Sequence, residues 1–391
     1  MSRTNMLRNG SIGAATIAAV VLLVACGQGT ATEEAEAQPS VPSGETQSST
    51  TFEKGGSEET GPYDAVADWP KPLHEDWTWG RTGGVWAESP DRIYIIQTGE
   101  IPVATRNAGG NPPQMHAVDH PDTRKTNRFM VVDGEGNLIE TWDEADPLFV
   151  HPHSVKQSPY DPEQHVWVVD GRSRSGEAAH SIWKFNHDGE VVMTLGEHKV
   201  EGNDESHFGG PTDLAFLPNG DFLVADGYRN SRIVRFDEDG NYLSQFGEPG
   251  TEPGQFNTIH GVAVDAEGRV YTADRGNSRV QVFTQEGELL DVWPNIPFPM
   301  DIAVTDDGHV WVAEGQVNKF LQFNKEGKLL YAWGTFGQVA PGRVWGTHRI
   351  SVDSDGNFYT ADVWGGRAQK FVPKPNADPT RLVGTFLDFT D

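Results

Sequence analysis

From about Asp68 onward, short runs of alternating apolar and polar residues recur as a unit. The clearest copy reads Pro211-Thr212-Asp213-Leu214-Ala215-Phe216, an Asn219-Gly220 turn, Phe222-Leu223-Val224-Ala225-Asp226, and Ile233-Val234-Arg235-Phe236. The next copy carries Ile259-His260-Gly261-Val262-Ala263-Val264, Val270-Tyr271-Thr272-Ala273-Asp274 and Val280-Gln281-Val282-Phe283. Period-two alternation between turn residues predicts strands joined by hairpins. Second runs end in Asp170, Asp226, Asp274, Glu314 and Asp362, spaced 56, 48, 40 and 48 residues, and a diverged first copy ends at Gln97. Four strands per repeat of this size make a propeller blade, and six copies predict an all-β six-bladed β-propeller over residues 68–391. Trp77-Thr78-Trp79 is expected to complete the last blade, with Leu382 to Phe389 as the competing segment.

The amino-terminal part has a different pattern. Basic Arg3 and Arg8 precede an apolar run from Ile12 to Ala25 that is too short to span a bilayer, so residues 1–25 read as an export signal. Leu23-Val24-Ala25-Cys26-Gly27 resembles a bacterial lipoprotein box, which predicts acylation of Cys26 and an exported propeller anchored by lipid on the extracytoplasmic side of a membrane. Residues 26–67 are poor in large apolar side chains and are expected to be a disordered acidic linker. The net charge of −27 excludes non-specific binding to nucleic acid, and the single cysteine excludes both an intramolecular disulfide and a Cys-based zinc site.

Superposing the inner strands brings Gly83, His153, Thr212, His260, Met300 and His348 into one column. Alternate blades lie about 120° apart in a six-bladed ring, and inner strands line the channel, so the three imidazoles should converge. Three histidines with an open fourth position are a zinc donor set. His74, His116, His120 and His187 fall outside the column and are expected at surfaces or turns.

Glu252-Pro253-Gly254-Gln255-Phe256 and Ala273-Asp274-Arg275-Gly276-Asn277-Ser278-Arg279-Val280 resemble NHL repeats. With the histidine column, the chain from about Gly83 to Phe371 resembles the catalytic propeller of peptidyl-α-hydroxyglycine α-amidating lyase. The resemblance implies that His153, His260 and His348 bind Zn2+. It also implies that Tyr228, in Asp226-Gly227-Tyr228-Arg229-Asn230, handles a proton and that Arg275 holds a substrate carboxylate. The implied substrate is a small molecule or peptide in the channel, cleaved at a carbinolamide C–N bond to an amide and glyoxylate. Two positions depart from the family. Thr98 stands where the family has a blade-one arginine, leaving Arg106 or Arg172 as substitutes. Arg349 stands where an acidic residue helps hold an axial Ca2+, with Asp213 or Asp301 as its expected partner. The alternatives are a metal-dependent hydrolase acting on esters or lactones, and a non-enzymatic binding module.

Overall fold

A computed structural model describes residues 59–103, 123–172, 177–338 and 340–386. Among them are six four-stranded antiparallel sheets and one two-stranded sheet. The expected all-β six-bladed propeller is the observed fold. Inner strands are Thr82–Ser89, Pro152–Gln157, Asp213–Phe216, Ile259–Val264, Pro299–Val304 and Thr347–Val352. No helix among the described residues is long and apolar enough to cross a membrane.

The core consists of six clusters, one at each blade-to-blade interface. Tyr94, Phe129 and Val131 of blade one pack on Val166, Trp183 and Phe185 of blade two, and so on around the ring until Tyr359 and Ala361 of blade six meet Ile93 and Ile95 of blade one. Second strands are therefore covered on both faces, and all five residues of Phe222–Asp226 and of Val270–Asp274 are buried. The strand-terminal acids knit the turns together. Asp226 accepts from Gly209 N, Asn230 and Arg232, Asp274 from Asn257 N, Asn277 and Arg279, and Gln97 accepts from Gly80 N in their place in blade one.

Ring closure differs from the expectation. The outermost strand of blade six is Tyr63–Ala65, paired antiparallel with Arg367–Pro373 in the register Tyr63↔Pro373. The propeller therefore begins inside the segment expected to be linker to residue 67. The Tyr63 ring reaches the core through Trp333 and Phe358, which explains why a three-residue strand holds there. Trp77–Trp79 is a strand as predicted, but it pairs with Glu100–Pro102, and Phe386 only bridges Thr305.

Candidate metal centre

The column positions share a backbone irregularity. Cross-strand register shifts between Ile259 and Gly261, Pro152 and Ser154, Pro299 and Asp301, Thr347 and Arg349, and Thr82 and Gly84. His260, His153, Met300, His348 and Gly83 thus sit in β-bulges, which re-aim a side chain out of the ladder. At Gly83 a Cβ would lie 2.0 Å from Pro152 O, so only glycine allows blades one and two to approach this closely.

The histidines meet as the spacing predicts. Their ring centroids are 4.8, 4.4 and 4.7 Å apart, and a ring nitrogen of each lies within 4.8 Å of the others. All three side chains are buried. Each Nδ1 lies 2.6 Å from the carbonyl of the next column residue: His153 to Thr212, His260 to Met300 and His348 to Gly83. A carbonyl can only accept, so each Nδ1 carries the proton and each Nε2 keeps its lone pair; at His153 the 2.6 Å contact to Thr212 O outweighs the donor-only Arg349 Nη2 at 3.2 Å. The non-histidine column positions are the acceptors that set the tautomer. Burial holds all three imidazoles well below their usual pKa; the nearby charge of Arg349 and of neighbouring imidazoles acts in the same direction at His153, and Arg275 does so at His260. Neutral imidazoles with fixed tautomers are a fitting donor set for zinc.

Tyr228 joins this cluster. Its hydroxyl lies 2.8 Å from His153 Nε2 and 3.3 Å from His260 Nε2. Gly227 makes the approach possible, since a Cβ there would fall 1.7 Å from Ile259 O. The Arg275 guanidinium lies 5.4 Å from the Tyr228 ring centre and 4.9 Å from that of Phe298, with Nη1 3.5 Å from Met300 Sδ. All five residues singled out in the sequence therefore share one site.

The other positions divide. Thr98 is buried, and its N donates to Arg81 O at 3.0 Å. Arg81, buried across the hairpin from Thr98, puts its charge on His348, as Arg275 does, and sequence reading missed it. Its signal is cross-strand register, which spacing along the chain does not reveal. His151 was also missed; it is buried with its ring 6.0 Å from that of His153. Arg106, His116, His120 and Cys26 lie outside the described residues, as does the Arg172 side chain. The side chains of His74 and His187 are well exposed, as expected.

The axial calcium of the family, already at odds with Arg349 in the sequence, does not fit here. Arg349 is 2% exposed and fills the level next to the histidines, its Nη1 2.9 Å from Met300 O and its Nη2 2.6 Å from Thr212 O. It pairs with Asp301 at 3.4 Å and lies 4.0 Å from Asp213. The carbonyl and carboxylate oxygens facing this level already surround a cation.

Comparison with known proteins agrees with this architecture. The NHL repeat model matches residues 208–236 and 256–283. NHL repeat-containing protein 3 of Mus musculus is 35% identical over 173 residues, 43% of this chain and 48% of that one. A probable peptidyl-α-hydroxyglycine α-amidating lyase of Caenorhabditis elegans is 38% identical over 141 residues, 35% of this chain and 38% of that one. The chain thus spans about half or less of the length of these curated relatives. The solved structure of a streptogramin B lyase superposes with a TM-score of 0.54 at 14% identity, covering 81% of this chain and 100% of that one, which shows the fold alone. The chain is a six-bladed β-propeller in which residues 208–236 and 256–283 match the NHL repeat, and part of it is similar to peptidyl-α-hydroxyglycine α-amidating lyase.

Proposed function

We propose that this propeller is a zinc-dependent lyase of the amidating type, cleaving an N-acyl-α-hydroxyglycine to an amide and glyoxylate. The observation that carries the reading is the set of three Nδ1-to-carbonyl hydrogen bonds, which leaves three Nε2 lone pairs facing one another beside the Tyr228 hydroxyl. His153, His260 and His348 would hold the zinc ion, which, when bound, lowers the pKa of a coordinated hydroxyl and makes its proton removable near neutral pH.

In the reaction the hydroxyl proton leaves, its bonding pair forms the C=O of glyoxylate, and the amide nitrogen departs with the C–N pair and takes up a proton. Tyr228, whose hydroxyl faces both His153 and His260, stands where, having given up its own proton and become a phenolate, it can accept that proton and return it to the nitrogen. Arg275 and Arg81 place two positive charges near His348, a suitable setting for the substrate carboxylate. The same reading has the propeller exported and held to a membrane by lipid on Cys26.

The test is glyoxylate release from benzoyl-α-hydroxyglycine by zinc-loaded protein, with metal content measured in wild type and His260→Ala. The reading requires one zinc equivalent and turnover in wild type, both lost in the variant. Zinc-loaded protein that hydrolyses lactones or esters and releases no glyoxylate would replace it with the hydrolase reading. Inertness to both classes would leave a binding module.

A further inference from the structure

Arg349 is surrounded as a metal ion is surrounded. Its Nη1 faces Met300 O at 2.9 Å, His348 O at 3.0 Å and Asp301 Oδ1 at 3.4 Å. Its Nη2 faces Thr212 O at 2.6 Å, His260 O at 3.2 Å and His153 Nδ1 at 3.2 Å, with Asp213 Oδ1 at 4.0 Å. Six oxygens from four blades thus converge on one buried group. Backbone carbonyls with carboxylates are the donor set of a hard divalent cation, for which six to eight oxygens are usual.

We infer that Arg349 is a resident cation in a latent divalent-cation cage: its guanidinium does the work of an ion at the centre of the ring, and its removal creates a calcium site. The charges agree. Asp213 and Asp301 carry two negative charges, and Arg349 with Lys156, 2.8 Å from Asp213, carries two positive ones. A neutral side chain at 349 leaves one buried negative charge uncompensated, which is strongly unfavourable in a dry interior. An added divalent cation offsets that charge, taking the balance from −1 to +1, and gives the stranded oxygens a common partner.

The guanidinium also acts on the neighbouring level. Thr212 O and Met300 O accept both from Arg349 and from the Nδ1 atoms of His153 and His260. Arg349 is therefore a positioning residue for two of the three histidines, and it stands whether or not the protein is a lyase.

The experiment is thermal denaturation with increasing calcium chloride, alongside equilibrium dialysis of radioactive calcium, on wild type, Arg349→Ala and Arg349→Gln. The Gln variant keeps an N–H donor and adds an amide oxygen, so it guards against a failure of Arg349→Ala to fold. Wild type should bind no calcium at millimolar concentration and show no change in midpoint. Both variants should melt lower and recover by several degrees as calcium saturates one site per chain, with the gain abolished by a second change, Asp301→Asn. Calcium uptake by wild type, or folded variants that neither bind calcium nor gain from it, would overturn the inference, as would variants that stay unfolded with calcium present.

Discussion

The two levels of the central channel are built from adjacent residues of the same strands, yet they solve opposite problems. At the first, Gly83, Thr212 and Met300 offer only carbonyls to the histidine Nδ1 atoms, and three neutral imidazoles are left with lone pairs turned toward one another. At the second, Asp213 and Asp301 are balanced inside the chain by Arg349 and Lys156. One level is completed from outside and the next from within. A shift of one residue changes the channel from a receptive site to a closed one, because successive side chains of a strand face differently and the bulge re-aims the first.

The contrast can be broken at either level. On the receptive side, Tyr228→Phe should lower turnover of an α-hydroxyglycine substrate by ~10²–10⁴-fold, the usual cost of a lost proton-transfer group, while zinc content stays at that of wild type. Loss of zinc along with turnover would mean that Tyr228 serves the metal site instead. On the closed side, Arg349→Met in calcium-free buffer should cost about 3–5 kcal/mol in denaturant unfolding, since it strands buried carboxylates. A loss under about 1 kcal/mol would show that Lys156 alone compensates both aspartates, the level of an exposed pair.

Beside the histidine level lies Gly227, packed against Ile259. Its replacement by Ala puts a Cβ against Ile259 O and displaces the turn that aims Tyr228, so a fall in kcat of about 10²-fold with little change in zinc affinity is expected, as for a misplacement near 1 Å. Wild-type kcat would show that the turn relaxes without moving the hydroxyl.

The smallest effect is a slope. Burial raises the Asp170 carboxyl from 3.8 to about 7, against the hydrogen bonds it accepts from Val150 N and His151 N. A carboxyl raised on folding contributes stability that is full below pH 3.8 and is lost as pH rises through about 7. The midpoint of Asp170→Asn should therefore gain on that of wild type as pH is raised from about 5 to 8, measured by calorimetry in matched buffers. A constant difference would mean that Asp170 stays ionised throughout.

Most of the channel was legible in the sequence because repeats turn three-dimensional register into spacing. His153, His260 and His348 could be found by alignment of the repeats alone, whereas Tyr228 and Arg275 were singled out by the family resemblance. What spacing does not carry is pairing between distant segments. Trp77–Trp79 has the pattern of a strand and is one, but its partner is Glu100–Pro102, and nothing local distinguishes that partner from the edge of the last blade. Tyr63–Ala65 has only one large side chain among polar neighbours, so its place in the ring depends on contacts made by a single tyrosine. Arg81 was hidden for the same reason: its relation to Thr98 runs across a hairpin.

The closing strand has a consequence in time. Tyr63 and Pro373 pair across 373 − 63 = 310 residues. During synthesis at ~5–20 residues per second, the first strand to emerge waits roughly 15–60 s for its partner. Until then Tyr63–Ala65 has no partner and stays open to any other extended segment. Two chains emerging side by side could each lend Tyr63–Ala65 to the other, giving a strand-exchanged dimer with every blade complete.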